Sequence, residues 1–599
     1  QPSALGDVQA GTGQYTTFSV GNGSKDSAVG KDGDGKLVAN PNPGKLTPVT
    51  DSSASGSAWA TGTKTYNNAV DVDIYGNPQL NLFELAKAAG KATGNVTTAE
   101  IQDATPAVLE SHSSERACYG PQGKTDGTSN NASKQCLINQ LKENGSIGSI
   151  SEQLLDTRAD VTIGGGSKYF RQTVQGGEYK GKTVWEQAKE MGFQTVENDP
   201  AAMNALQYKD NQPVLALMSD GNMPTKFDPS KATAKDPAKD ANPTVCTPNA
   251  NWLQGSSLKD MTKKALDLLN DNPNGQKNGF FLQVEGASID KQDHAGNACG
   301  QIGETDDFDQ AIAYAMQNVD LTNTLVIVTA DHAHTSQILN AQPAYALSTV
   351  LKTADGNNMV VSYGTAQDDS RDADGGYNGG DMEHTGTQLR IAASGPGAQR
   401  VIGLTDQTDN FYTIAGALGL ATSTESQKAL SDNGTVKVSA ADGKFTADVD
   451  GFNGDAVLSY ELKDKNDKTV AASDSSTPLS GVRVKTAQTT PIALDGVTEG
   501  SEYKLTVTGR QSGKAVTVDF QAPAANSADK NNGKPGAGNA DKNGVIASGK
   551  VNNDTKAGPF GAALLGKTGT AVLAAAVAIA MLVAVAMLIK TAKAAKNDR

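Results

Sequence analysis

The sequence is poor in the residues on which several function classes depend. Four cysteines occur in 599 residues and none forms a Cys-x-x-Cys pair, which argues against a structural zinc knuckle. Positive charge is not in excess: 52 Lys and Arg face 66 Asp and Glu, a formal net charge of −14. A general nucleic-acid binder needs cations to neutralise phosphates, so that class is set aside, while a local phosphate site is not. Histidine is nearly as scarce as cysteine, with five residues: His112, His294, His332, His334 and His384. Apolar residues still make up 37% of the chain, and 64 glycines bring the sum to about 48%, the usual globular range, so a wholly disordered chain is excluded. Length alone sets a prior of up to four domains of about 150 residues each. Residue 1 is Gln and no signal peptide is visible, so the chain is expected to be a processed product or a fragment. Two disulfides among the four cysteines would mark an exported protein, with three connectivities open.

The C-terminal end reads as an anchor. Thr570 to Ile589 is an uncharged run of 20 residues, enough to cross about 30 Å of hydrocarbon as a transmembrane helix. Lys590, Lys593, Lys596 and Arg599 follow, as the positive-inside rule expects. Gly561-Ala-Ala-Leu-Leu-Gly566-Lys567-Thr568 matches the phosphate-loop pattern, but it follows a polar linker instead of a strand, so that reading is rejected. Leu565-Gly566-Lys567-Thr568-Gly569 resembles the L-P-x-T-G signal of sortase substrates in Gram-positive bacteria, with Gly566 where Pro is usual. The expectation is a degenerate sortase-like signal, membrane helix and basic tail over 564–599, with cell-wall attachment or simple membrane anchoring at the cell surface. Residues 523–563 have few large apolar side chains and read as a low-complexity linker. Residues 434–522 carry short β-type runs such as Thr435-Val-Lys-Val, Val457-Leu-Ser-Tyr-Glu-Leu and Val516-Thr-Val-Asp-Phe between Gly, Asp and Asn turns. They predict a small β-sandwich, without His or Cys, acting as a spacer or binding module.

Residues 1–420 follow a different grammar. Strand-like runs, Gly279 to Glu285 and Thr324 to Asp331, end in polar residues, and Asp307 to Val319 between them predicts a helix. This is the pattern of an α/β domain on a mostly parallel central sheet flanked by helices, whose sites lie at the carboxyl ends of strands. Glu285 and Asp331 stand where that rule places functional groups. Asp290-Lys-Gln-Asp-His294 sets a carboxylate and an imidazole on one face if helical. Asp331-His332 follows a strand, and Glu383-His384 follows a Gly-rich loop. Oxygen and imidazole donors together suit zinc. His112 and His334 are expected to be ordinary surface or hydrogen-bonded core residues. Asp51-Ser52-Ser-Ala places Ser52 at the N-terminus of a helix of small residues, where backbone N–H groups favour an anion. Asp103-Ala-Thr105-Pro106 predicts an N-cap with Pro at the first helical position, and Arg116 about three turns along the same helix. Its guanidinium fork suits two phosphate oxygens.

These motifs, with Gln102-Asp-Ala-Thr-Pro, Val284-Glu-Gly-Ala-Ser-Ile-Asp-Lys-Gln-Asp-His294, Thr329-Ala-Asp-His-Ala-His334 and Glu383-His-Thr-Gly, resemble those of bacterial alkaline phosphatases. The likeness runs from Gly13-Gln-Tyr-Thr16 to Ala417-Leu-Gly-Leu420 and includes the pairs Cys118–Cys136 and Cys246–Cys299, which also close the shorter loops. The resemblance implies hydrolysis of phosphate monoesters on two Zn²⁺ and one Mg²⁺. By similarity, Ser52 is the nucleophile that becomes phosphoserine. Asp290, His294 and His384 hold one zinc, and Asp331 and His332 the second. Thr105 and Glu285 bind magnesium, with Asp103 acting through its bound water. Arg116 grips the phosphate and Lys291 reaches it through water. A homodimer is common in the family.

One family motif has no counterpart: a strand ending in a Gly-Asp-Gly-Met-Gly-like sequence whose Asp bridges zinc and magnesium. Gly6-Asp7-Val8 follows no apolar strand. The expectation is that the chain begins after the first strand and helix of the domain and lacks one metal ligand. Two other readings stand beside the phosphatase. One is a related metallohydrolase on the same core, a phosphodiesterase, sulfatase or mutase. Ser52-Ser53-Ala54-Ser55-Gly56 lacks the [CS]-x-P-x-R context of sulfatases, and Arg116 with Lys291 favours a monoester dianion. The other is a degenerate, surface-displayed binding protein.

Overall fold

The computed structural model describes residues 11–20, 29–31, 37–39, 46–122, 134–252, 255–366, 382–523 and 544–552. The apolar run at 570–589, the sortase-like signal and Asp7 lie outside the described residues. Among those described, no helix is long and apolar enough to cross a membrane.

The larger unit is built on two sheets. The strands that form these sheets or carry site residues are β1 (Gly11–Thr16), β2 (Ala92–Glu100), β3 (Val161–Gly165), β4 (Gln194–Glu197), β5 (Val214–Leu217), β6 (Phe280–Glu285), β7 (Val326–Val328), β8 (Ala333–His334), β9 (His384–Thr385), β10 (Leu389–Ser394) and β11 (Gly403–Asp406). The helices that matter here are α1 (Ser52–Thr61), α2 (Ala104–Ala107), α3 (Ile150–Thr157), α4 (Val184–Glu190), α5 (Leu258–Asp271), α6 (Ser288–His294), α7 (Ala298–Asn318) and α8 (Gln407–Leu418). One sheet is wholly parallel, in the order β6-β2-β3-β5-β4. The other, β7-β10-β1-β11, is mixed: β1 runs parallel to β11 and antiparallel to β10, which is antiparallel to β7.

The parallel sheet carries packing on both faces, which is why its strand β5, Val-Leu-Ala-Leu, is an apolar run without alternation. Successive residues of β5 point opposite ways. Val214 and Ala216 face α5, where Leu258, Met261, Ala265, Leu268 and Leu269 form the apolar stripe. Leu215 and Leu217 face α3 and α4 through Leu154, Leu155, Val184 and Ala188. Ser257 caps α5 in a capping box with Asp260. The expected helix at 307–319 is the second half of the longer α7.

Residues 435–523 and 544–552 form two antiparallel sheets face to face. The longer strands are β12 (Thr435–Ala441), β13 (Lys444–Asp450), β14 (Val457–Asp464), β15 (Thr469–Ala472), β16 (Thr490–Ala493), β17 (Glu502–Gly509), β18 (Ala515–Gln521) and β19 (Gly544–Lys550), and the short strand Val482–Arg483 also pairs with β14. The sheets are β16-β13-β12-β19 and β15-β14-β17-β18. Val438, Leu458, Leu505, Val518 and Phe520 lie in the core between them. β19 corrects the expectation of an unbroken linker over 523–563. The average composition of that stretch hides Val545-Ile-Ala547, which is enough for an edge strand. Ile546 and Ala547 cover the sandwich core while the backbone pairs with β12.

The sandwich shares a core with the larger unit: Ala456, Val457 and Leu479 pack among Val70, Leu82, Phe83 and Ile150. Arg483 crosses the junction. Its Nη2 donates to Glu84 Oε1 at 2.6 Å and its Nη1 to the Ala456 carbonyl at 3.1 Å, with both charged side chains buried. Burial opposes ionisation of Glu84, but His112 and Arg483 outweigh it and hold the carboxyl at about 2. The pair therefore adds stability above the ordinary carboxylate range, and that stability is lost as the pH falls towards 2. Arg483→Met should cost about 3–5 kcal/mol at neutral pH by leaving a buried carboxylate short of its partner. Urea unfolding should show that deficit, and it should shrink on acidification.

Candidate active site

Helix α1 starts at Ser52. Asp51 is its N-cap: Oδ1 accepts the Ala54 N–H at 2.9 Å, and Oδ2 accepts the Ser53 hydroxyl at 2.8 Å and the Asn68 N–H at 3.0 Å. The small residues of α1 let it lie close to α2. A Cβ on Gly56 would stand 2.9 Å from Val108 Cγ1. Ser52 Oγ is thereby fixed 2.9 Å from His332 Nε2.

Four imidazoles converge beside it on one carboxylate. Asp290 and His294 lie one turn apart on α6, and β8 pairs with β9 so that His334 stands opposite His384. From Asp290 Oδ1, the Nε2 atoms of His334, His294, His384 and His332 are 2.5, 3.4, 3.5 and 3.7 Å away. His332 and His384 stack at 3.5 Å between ring centroids. Asp331 Oδ2 is 3.2 Å from His332 Nε2. Burial opposes ionisation of Asp290, but the His334 and His384 imidazoles facing it hold its carboxyl well below the usual range. Burial lowers His294 and His332, whereas for His384 the Asp290 carboxylate outweighs burial and raises it.

The donor set fits a cation. His294 Nδ1 lies 2.7 Å from the Met382 carbonyl and His384 Nδ1 3.0 Å from the Thr50 carbonyl. Each Nδ1 therefore carries the proton, and in the neutral ring each Nε2 presents a lone pair. These two Nε2 atoms face each other at 3.0 Å. Facing lone pairs repel, and a metal ion between them turns that repulsion into coordination. Among the described residues, Asp290, His294, His334 and His384 are the group whose donor atoms all lie within 4.8 Å of one another.

His334 is hydrogen-bonded and largely buried, within the expectation, but its partner is Asp290 at the centre of the cluster. The signal was present: His332 and His334, two apart in an extended segment, share a face. His112 does lie in the core, with Nδ1 3.0 Å from the Asp71 carbonyl and Nε2 3.0 Å from Glu84 Oε1.

A second cluster forms around Asp103, the N-cap of α2. This helix has four residues, with Pro106 third instead of first, and Arg116 lies in the loop beyond it rather than three turns along. The early stop brings Arg116 back towards α1. Its Nη1 reaches Asp51 Oδ2 at 3.1 Å and its Nη2 reaches Asp103 Oδ1 at 2.7 Å. Lys291 Nζ binds Asp103 Oδ2 at 2.7 Å. Burial would raise Asp103, but Lys291, Lys134 and Arg116 keep it well below its ordinary value. Glu285, at the carboxyl end of β6, accepts the Thr97 hydroxyl at 2.6 Å, and burial pushes it up to about 7. Gln283 Nε2 holds the Thr105 carbonyl at 2.9 Å. Thr105, Glu285 and Asp103 thus stand near one another, with Asp103 engaged by Lys291 and Arg116 in place of a shared donor group. Both disulfides, Cys118–Cys136 and Cys246–Cys299, are formed.

Residues 37–420 match the model of the family described as alkaline phosphatase. The chain belongs to the alkaline phosphatase family. It is 50% identical over 380 residues to the alkaline phosphatase of Escherichia fergusonii, covering 63% of this chain and 75% of the relative. Against the alkaline phosphatase of Escherichia coli it is 49% identical over 413 residues, or 68% and 78% of the two chains. It is also 40% identical over 388 residues to the streptomycin-6-phosphate phosphatase of Streptomyces griseus, covering 63% and 80%. The solved alkaline phosphatase of Thermus thermophilus superimposes with a TM-score of 0.45 at 22% identity, over 70% of this chain and 86% of that one. As a bacterial alkaline phosphatase the chain is an enzyme that hydrolyses phosphate monoesters, and its family is metal-dependent. If His334 orders the metal-capable group through Asp290, His334→Ala should weaken divalent-metal binding about 10- to 100-fold. Competition with a chromophoric chelator measures this, and unaltered affinity would remove His334 from the site.

Proposed function

We propose that this phosphatase works through a phosphoserine on Ser52, with two zinc ions and one magnesium, at the cell surface. The observation that carries the reading is Ser52 Oγ at the start of α1, 2.9 Å from His332 Nε2 and next to the Asp290 group. Asp290, His294 and His384 would hold one zinc, and Asp331 and His332 the other. Thr105 and Glu285, oxygen donors suited to magnesium, would hold the third ion, with Asp103 acting through water. The bound metals supply the positive charge that activates a hydroxyl or a water and steadies a leaving oxygen.

The chain's own residues do the rest. Ser52 Oγ forms the new bond to phosphorus as the ester oxygen departs in line and leaves, protonated, as the alcohol. Water then attacks the phosphoserine, frees Ser52 and releases inorganic phosphate. Arg116 turns its fork from Asp51 and Asp103 to two non-bridging oxygens, where charge is greatest in the transition state. Lys291, held against Asp103, orders the water that faces the phosphate. Ser52→Ala should cut p-nitrophenyl phosphate turnover by ~1,000-fold or more. A phosphorylated Ser52 peptide, trapped by acid quench and read by mass spectrometry, should vanish with it. Labelling elsewhere would overturn the assignment.

The same proposal places the chain outside the membrane with 570–589 as the anchor, a run whose length and basic flank support a span. Deleting 564–599 should move phosphatase activity from the membrane or wall fraction to the medium. Activity that stays bound would show that something else retains the protein.

A further inference from the structure

Three cations surround Asp103, and Lys134 has no part in the reading above. Lys134 Nζ donates to the Tyr119 hydroxyl at 2.6 Å and lies 4.1 Å from the centroid of its ring. Tyr119 is fully buried, and its hydroxyl donates in turn to Asp103 Oδ1 at 2.8 Å. With its single proton given to Asp103, the hydroxyl keeps its lone pairs for Lys134. A cation donating to that oxygen polarises the O–H group and strengthens its bond to the carboxylate. The placement is covalent in origin. Cys118 precedes Tyr119, Lys134 lies two residues before Cys136, and the Cys118–Cys136 disulfide brings the two segments together.

Arg116 makes this arrangement matter. Both of its Nη groups are engaged, on Asp51 Oδ2 at 3.1 Å and Asp103 Oδ1 at 2.7 Å. A phosphoryl group requires the same fork. When Arg116 turns away, a buried carboxylate loses a cation, which is costly unless other donors hold it. Lys291 keeps Oδ2, and Oδ1 is left to Tyr119 with Lys134 behind it. We propose that Lys134 is a positioning residue for phosphate: acting through the Tyr119 hydroxyl, it satisfies Asp103 Oδ1 and so releases Arg116 to the phosphoryl oxygens. The inference rests on Arg116 being the phosphate grip.

The test compares Lys134→Met, Tyr119→Phe, the double variant, Lys134→Arg and Arg116→Ala in the full chain supplied with Zn²⁺ and Mg²⁺. It reads KM, kcat and, by calorimetry, the Kd of inorganic phosphate. Lys134→Met should raise KM and Kd roughly fivefold, the scale of one ordinary hydrogen bond because the lysine acts at one remove through Tyr119, and change kcat less. Tyr119→Phe should do the same, and the double variant should be no worse than the larger single effect, because both act on one relay. Lys134→Arg should restore most of the affinity. If Arg116→Ala leaves the phosphate Kd unmoved, the assignment of Arg116 fails and the inference with it. If Arg116→Ala weakens binding while Lys134→Met does not, the relay alone is overturned. Lys134→Met weakening binding while Tyr119→Phe does not would also overturn it, since the lysine would then act on phosphate directly. So would an affinity loss that appears only when thiol titration shows the Cys118–Cys136 bond broken.

Discussion

Four imidazoles crowd one carboxylate oxygen, and the electrostatics of that crowding governs the site. Asp290 lies within 3.7 Å of every one of them. Outward hydrogen bonds to the Met382 and Thr50 carbonyls leave the His294 and His384 lone pairs turned inward. Neutral rings in this arrangement repel, so the packing that forces them together stores a preference for a cation. Three separate pieces of chain are held in place to achieve it: the short helix after β6, the segment after β7, and β9 paired against β8.

On the other side of Ser52 the charges are reversed, with cations gathered around a carboxylate. Asp51 caps α1 and Asp103 caps α2, and Arg116 links the two caps. A helix cap is usually a local device. Here each cap also holds one arm of the guanidinium, so the start of the Ser52 helix and the position of Arg116 are set by the same bonds. Lys291 reaches across from α6 to Asp103 and joins the cation-seeking cluster to the cation-rich one.

The sandwich belongs to the same framework. Its Arg483 enters the core of the larger unit and meets Glu84, which also faces His112, and its Val457 and Leu479 extend the core formed by Leu82 and Phe83. His112 and Asp71 are thereby tied to the chain that leads to Asn68 and Asp51: the Asp71 carbonyl faces His112 Nδ1, and the Asn68 N–H bonds Asp51 Oδ2. A spacer hung on a linker would show no such shared core.

Much of the site was legible locally. Glu285 ends β6 and Asp331 follows β7, because functional groups of an α/β domain gather where strands end and the chain turns into loops. Asp290 and His294 meet because a helix turns once in about four residues. Ser52 at a helix start follows from Asp51 as a cap. Three features depended on tertiary structure. His334 joined the imidazoles around Asp290 only when β8 and β9 paired, a contact between residues far apart in the chain. Arg116 left the expected helix because α2 stops after four residues, and its position was settled by two distant carboxylates. The strand Gly544–Lys550 was hidden in a polar stretch, since an edge strand needs only one apolar face and a neighbour's backbone. Local pattern determined which chemistry the chain carries, because spacing along one element sets which side chains share a face. Packing between elements decided which of those side chains touch, because long-range pairing and buried charge have no period that a sequence displays.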